Sequence, residues 1–168
     1  WTGGTDLPDE GVWHWPSGVA IPAPYSNWGT NQPDNGGSGE HCLELQAAAG
    51  SGDVLRVWND APCGNAKEFV CDLPAGLPVG PSCSAATGAD GRRRALCTDP
   101  RSSAEAAMVC AFMGGALATL DSAAAEAATA AMIDDLLPAL DDCWIGGDDL
   151  GAEGRWLAPS GALIDDFR

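Results

Sequence analysis

The sequence predicts an α+β fold, rich in loops and stapled by disulfides, and three observations point to it. Residues 1–73 alternate short aromatic and β-branched runs with Gly and Pro clusters, the pattern of short strands joined by turns. Residues 102–137 contain two helix-length segments. Seven cysteines in 168 residues suit an oxidising compartment. No Cys-x-x-Cys pair is present, and with only His14 and His41 to assist, zinc is not expected.

Taken in order, Val12-Trp13-His14-Trp15 and Tyr25-Ser26-Asn27-Trp28 read as strand-like pieces on either side of a Pro-rich stretch. Next comes Gln32-Pro33-Asp34-Asn35-Gly36-Gly37-Ser38-Gly39-Glu40-His41-Cys42, answered downstream by Trp58-Asn59-Asp60. Gln32, Asp34, Glu40, Asn59 and Asp60 all end in carboxylate or amide oxygens and sit in or beside non-periodic, Gly-rich sequence. Ca²⁺ takes six to eight oxygen ligands in flexible geometry, and such a loop can fold its oxygens around one ion. Cys42–Leu45, Leu55–Trp58 and Phe69–Cys71 read as three further strands. Pro74, Pro78 and Pro81 mark a linker by composition.

Beyond the linker, Cys83 and Cys97 enclose a polar stretch with Arg92-Arg93-Arg94, either a basic motif or processing site or the solvated face of a hairpin. Ser102 through Met113 reads as a helix. Ser102 and Glu105 form a capping box, and Ala104, Met108 and Phe112 are expected to keep one side apolar. Gly114-Gly115-Ala116-Leu117-Ala118-Thr119-Leu120 leads into a second, Ala-rich helix from about Ser122 to Leu137, ending near Pro138.

Twenty-four acidic residues against eight basic ones leave a net charge of −16, which argues against nucleic acid and anionic membranes as partners. No apolar run approaches the ~20 residues a membrane span needs. The sequence has no signal peptide and does not begin with Met, so a piece of a longer protein is expected.

Gln32-Pro33-Asp34, Glu40 six residues after Asp34, Cys42, Trp58-Asn59-Asp60, Cys63 and Cys71 together resemble the C-type lectin-like domain. The resemblance implies that Gln32, Asp34, Glu40, Asn59 and Asp60 hold Ca²⁺ and that two vicinal sugar hydroxyls complete its shell while bonding to the same side chains. It also implies a cis bond before Pro33, which would aim the side chains of 32 and 34 at one ion, and a Cys42–Cys63 bridge stapling the site. In that family Gln-Pro-Asp goes with galactose-type ligands, so galactose is the first expectation. Galactose binders usually add an aromatic ring after the motif, whereas Asn35, Gly36 and Gly37 follow here. Asp6 and Glu10 match positions of a weaker auxiliary Ca²⁺ site shared with Glu40. Two usually acidic positions of that site read Asn35 and His41, so solvated acids in a turn are the alternative. The tryptophans of residues 1–28 fall on family landmarks and are expected in the core.

The cysteine late in the first helix, the Gly-Gly-x-Leu-Ala-Thr run and the second helix resemble the N-terminal half of the same fold, with Ser103 where a Trp is usual. Residues 144–164 repeat residues 1–21 at 12 of 21 positions, and Asp149 and Glu153 fall on Asp6 and Glu10. The expected division is therefore 1–73 as the C-terminal half of a first domain, 74–82 as linker, and 83–168 as the N-terminal part of a second. Neither half buries its apolar face alone, so we expect a circularly permuted assembly in which 83–143 supplies helices to 1–71. A Cys71–Cys110 bridge would support this. Residues 144–168 would then compete with 1–25 for one strand slot.

Three functions follow in order. First is Ca²⁺-dependent carbohydrate binding by an extracellular protein, secreted or tethered, with neighbouring lectin-like domains in its parent chain. Second is a protein-interaction or adhesion domain in which Ca²⁺ only stabilises the loops. An enzyme comes last and is not expected, since no Ser/His/Asp or Cys/His grouping is visible.

Overall fold

The structure, a computed structural model, describes residues 25, 27–37, 39–47, 56–136 and 142–148. Asp6, Glu10, the strands expected in residues 1–24, and Asp149 onward lie outside the described residues.

Among the described residues the strands form one sheet. Strand β1 (Cys42–Ala47) pairs antiparallel with β2 (Arg56–Ala61), with Leu43 opposite Asp60 and Leu45 opposite Trp58. β3 (Lys67–Leu73) pairs antiparallel with β5 (Arg93–Arg101), which in turn pairs with β4 (Cys83–Thr87). A two-residue strand, β6 (Ala116–Leu117), also meets β3. β7 (Asp142–Asp148) lies between β1 and β3, antiparallel to the first and parallel to the second. β7 includes Trp144–Asp148, the first residues of the later repeat.

Helix α1 (Ser103–Phe112) starts at the expected capping box, with Ser102 as its N-cap and Glu105 reaching back to the Ser102 N–H. Helix α2 (Ala123–Leu136) starts at Ser122, whose hydroxyl accepts from the Ala125 N–H at 3.2 Å. Each cap satisfies a donor that has no partner inside the helix. Gly114, at φ +79°, and Gly115 turn the chain from α1 into β6. A Cβ on Gly115 would stand 2.1 Å from the Asp72 carbonyl oxygen, so only Gly fits there.

The core draws on both halves of the chain: Leu43, Leu45, Trp58, Phe69 and Val70 from one, Leu96, Leu117, Leu120 and Ile133 from the other. Three disulfides fasten it. Cys42–Cys63 closes the loop after β2, Cys71–Cys110 ties β3 to α1, and Cys83–Cys97 crosses the β4–β5 hairpin. The first two match the expected pairings. The architecture, helices on antiparallel strands with three bridges, is the α+β fold that the resemblance implies. No helix among the described residues is long and apolar enough to cross a membrane.

Two expectations from local sequence are overturned. The Ala104, Met108, Phe112 stripe of α1 faces outward, with Met108 64% and Phe112 94% exposed, while Ala106 and Cys110 face the core. The bond from Cys110 to Cys71 turns the helix, because a disulfide demands that its Cα atoms come close, here 5.5 Å. Nor is Arg92–Arg94 solvated throughout. Arg94 is 1% exposed and bridges Asp72 at 3.0 Å and Asp90 at 2.7 Å, and Arg92 donates to both oxygens of Asp121 at 2.8 Å. Arg93 caps the Pro74 and Leu77 carbonyls of the 74–82 connection. Buried guanidinium groups stay charged, so they appear where carboxylates can pair with them.

Candidate metal centre

The ion loop is shaped by its own short polar side chains. Asn35 stands at φ +47°, a left-handed conformation that Asn tolerates. That turn aims the Asn35 side-chain oxygen at the Glu40 N–H, 3.1 Å away. Gly36 then donates to Glu40 Oε2 at 2.9 Å and to Asp34 Oδ1 at 3.2 Å. A Cβ at Gly36 would meet Glu40 Oε2 at 2.9 Å, so a side chain there would push the Glu40 carboxylate aside. The Gln32–Pro33 bond is cis.

Asp60, fully buried near the end of β2, holds this loop to the sheet. Its Oδ2 accepts from the Asn35 N–H at 2.7 Å and its Oδ1 from the Asp34 N–H at 3.3 Å. Asn59, beside it, donates its amide to Glu44 Oε1 at 2.8 Å and also to the Asp60 carbonyl. Glu44 in turn pairs with Lys67 at 2.6 Å.

Oxygens of Asp34, Glu40 and Asp60 thereby come within 4.8 Å of one another. Burial pushes the Glu40 carboxyl up to about 7, with repulsion from Asp60 adding to the effect. Burial likewise pushes Asp60 up to about 6, against the pull of its backbone N–H donors. Three converging carboxylates raise one another's energy until a proton or a cation neutralises them. Gln32 Oε1 is buried and has no hydrogen-bond partner, which a cation ligand would supply. An all-oxygen donor set of this kind fits a hard cation such as Ca²⁺. Of the five expected positions, the structure gathers Asp34, Glu40 and Asp60 in one cluster. Gln32 lies two residues before Asp34, and Asn59 directly precedes Asp60.

The raised carboxyls carry a prediction for the ion-free protein. Because the folded site keeps protons that the unfolded chain has lost by about pH 5, the contribution of Glu40 to stability falls as pH rises from its ordinary range near 4.5 toward 7. Glu40→Gln should therefore melt higher than the parent at pH 7.5 without divalent ions, with the gap closing near pH 4.5. The same shift at both pH values would contradict the assigned electrostatics.

Three contributors escaped notice in the sequence. Asn35 orders the loop rather than simply replacing an acid. Glu44 orients Asn59, as its place opposite Asn59 in the β1–β2 register would suggest. Glu126, buried on α2, accepts from Tyr25 Oη at 2.9 Å, from Trp58 Nε1 at 3.0 Å and from Asn27 Nδ2. Its one local signal is an acid in line with the otherwise apolar face of Ala125, Met132 and Ile133.

A family model described as the lectin C-type domain matches residues 1–73. Among curated proteins, perlucin of Haliotis laevigata is 40% identical over 72 residues, which is 43% of this chain and 43% of perlucin. C-type lectin domain family 4 member K of Mus musculus is 34% identical over 76 residues, 44% of this chain and 22% of that protein. Salivary C-type lectin 1 of Aedes albopictus is 38% identical over 74 residues, 43% of this chain and 46% of that protein. The chain spans less than half the length of each of these relatives. No solved structure matches it.

Proposed function

Given that the chain carries a C-type lectin-like domain, we propose that it binds carbohydrate through one Ca²⁺ held by Gln32, Asp34, Glu40, Asn59 and Asp60. The observation that carries this is the convergence of Asp34, Glu40 and Asp60 oxygens within 4.8 Å on a loop pinned by Asp60. Bound Ca²⁺ would supply a Lewis-acidic centre for sugar hydroxyls, and these residues would hold it. The side chains then sort those hydroxyls by direction: ionised carboxylates only accept, whereas the Gln32 amide can also donate. Galactose is the first candidate sugar, from the Gln-Pro-Asp order.

The same proposal covers the setting. The protein acts outside the cell, where its three disulfides persist. Residues 1–73 and 83–168 derive from two successive domains joined by 74–82, assembled as a circular permutation and flanked by further copies in the parent chain. The Cys71–Cys110 bond and the mixed core support this arrangement.

A second reading, binding of a protein surface with Ca²⁺ only stiffening the loop, is favoured by one feature. Asn35, Gly36 and Gly37 place no ring beside the loop for a sugar to stack on. Retention on immobilised galactose separates the two. The lectin reading expects binding in Ca²⁺, release by chelator and release by excess free galactose. No retention on galactose or mannose supports with Ca²⁺ present would favour the second.

A further inference from the structure

We infer that Glu126 is a positioning residue for the ion loop, a clamp by which α2 sets the spacing of the two chain segments that carry the Ca²⁺ ligands. The inference rests on the Ca²⁺ reading given above. One oxygen of Glu126 takes the Trp58 indole N–H and the Tyr25 hydroxyl, and the other takes the Asn27 amide. Trp58 stands immediately before Asn59 and Asp60. Asn27 stands at the head of the turn that leads to Gln32 and Asp34.

The two segments are also bonded to each other. The Trp58 N–H donates to the Asn27 carbonyl at 2.8 Å, the Gly29 N–H donates to the Trp58 carbonyl at 2.8 Å, and the Asn27 amide reaches the Arg56 carbonyl at 2.8 Å. The rings of Tyr25 and Trp28 meet Trp58 edge-on, each at 5.9 Å. From Gly29 the chain turns once, through the Gln32 N–H on the Gly29 carbonyl at 3.0 Å, and enters the loop. A shift of Trp58 against Asn27 thus becomes a shift of Asp60 against Asp34, whose backbone N–H it holds.

A carboxylate suits this junction because it only accepts, and all three groups that face it donate. Glu126→Gln keeps the shape but turns one acceptor into a donor, so one arm of the clamp opposes another N–H. Asp134→Asn is the matched control, since it loosens another α2 tie to β2, the 2.9 Å bridge to the Arg56 side chain, whereas the Trp58 indole and the Asn27 amide donate to Glu126.

The test is a calorimetric Ca²⁺ titration of the parent, E126Q and D134N, with amide hydrogen exchange measured on each protein free of divalent ions. E126Q should weaken Ca²⁺ binding by roughly tenfold, the loss typical when a group that orients metal ligands is removed, and D134N should not. Exchange at the Asn35 amide, which depends on Asp60, should quicken in E126Q while that of β3–β5 stays slow. Unchanged affinity in E126Q, or equal weakening in both variants, would overturn the inference and leave the Ca²⁺ reading standing. A parent protein silent to Ca²⁺ would overturn both. If E126Q does not fold, Asn27→Ala, which releases the clamp from the loop side, is read the same way.

Discussion

Replacing Asp60 with Ala is expected to remove Ca²⁺ binding and sugar binding together. Asp60 belongs to both the ion cluster and the scaffold: it contributes a carboxylate oxygen, and it accepts from the Asp34 and Asn35 backbone N–H groups, which fastens them to β2. Loss of an outer partner of a metal ligand already costs about 10- to 100-fold in affinity. Loss of a ligand that is also the anchor should exceed 100-fold, beyond what calorimetry follows at millimolar ion. The fold itself should persist, because the buried apolar residues of β2 on either side of Asp60 stay packed, Trp58 against the Tyr25 and Trp28 rings and Ala61 within the core cluster. Sugar affinity retained in Asp60→Ala, or in the parent under excess chelator, would contradict the coupling of ion and ligand.

The largest stability effect is expected from the paired change Cys71→Ala and Cys110→Ala. These residues are 39 apart in sequence and join β3 of the earlier half to α1 of the later one. Closing a loop of that length restricts the unfolded chain by about 4 kcal/mol in the chain-entropy account. Both half-cystines are fully buried, so the vacated sulfur volume adds to the loss. For a chain of this size that corresponds to a drop of roughly 8–16 °C in melting temperature. Cys42–Cys63, 21 apart, and Cys83–Cys97, 14 apart, should cost progressively less. A fall of only a degree or two for the Cys71–Cys110 pair would mean that the two halves do not depend on this link. Added Ca²⁺ should recover part of the loss by binding only the folded state.

How legible these features are in the sequence depends on how far apart the interacting residues lie. The Ser102–Glu105 capping box spans four residues and can be read directly. The ion-loop residues are legible because type and spacing coincide: Gln32, Pro33, Asp34 and Glu40 on one loop, Asn59 and Asp60 on one strand. The inward face of α1 is not legible. Helical periodicity pointed to Ala104, Met108 and Phe112, but the distant Cys71 decides which side turns in. Arg94 reads as one of three surface cations: Asp90 lies only four residues before it, but its burial comes from tertiary packing and its other partner, Asp72, lies 22 residues away across the linker. Glu126 has no partner nearby in the sequence to mark it, since Trp58 is 68 residues away. Asp6 and Glu10, the expected auxiliary pair, lie outside the described residues.

The central claim is that one set of oxygens binds ion and sugar as a single property. Its most direct test is a calorimetric Ca²⁺ titration of the whole chain, repeated with galactose and then with mannose in excess. The account predicts tighter Ca²⁺ binding when a fitting sugar is present, with galactose the stronger. Ca²⁺ affinity that ignores both sugars would contradict it.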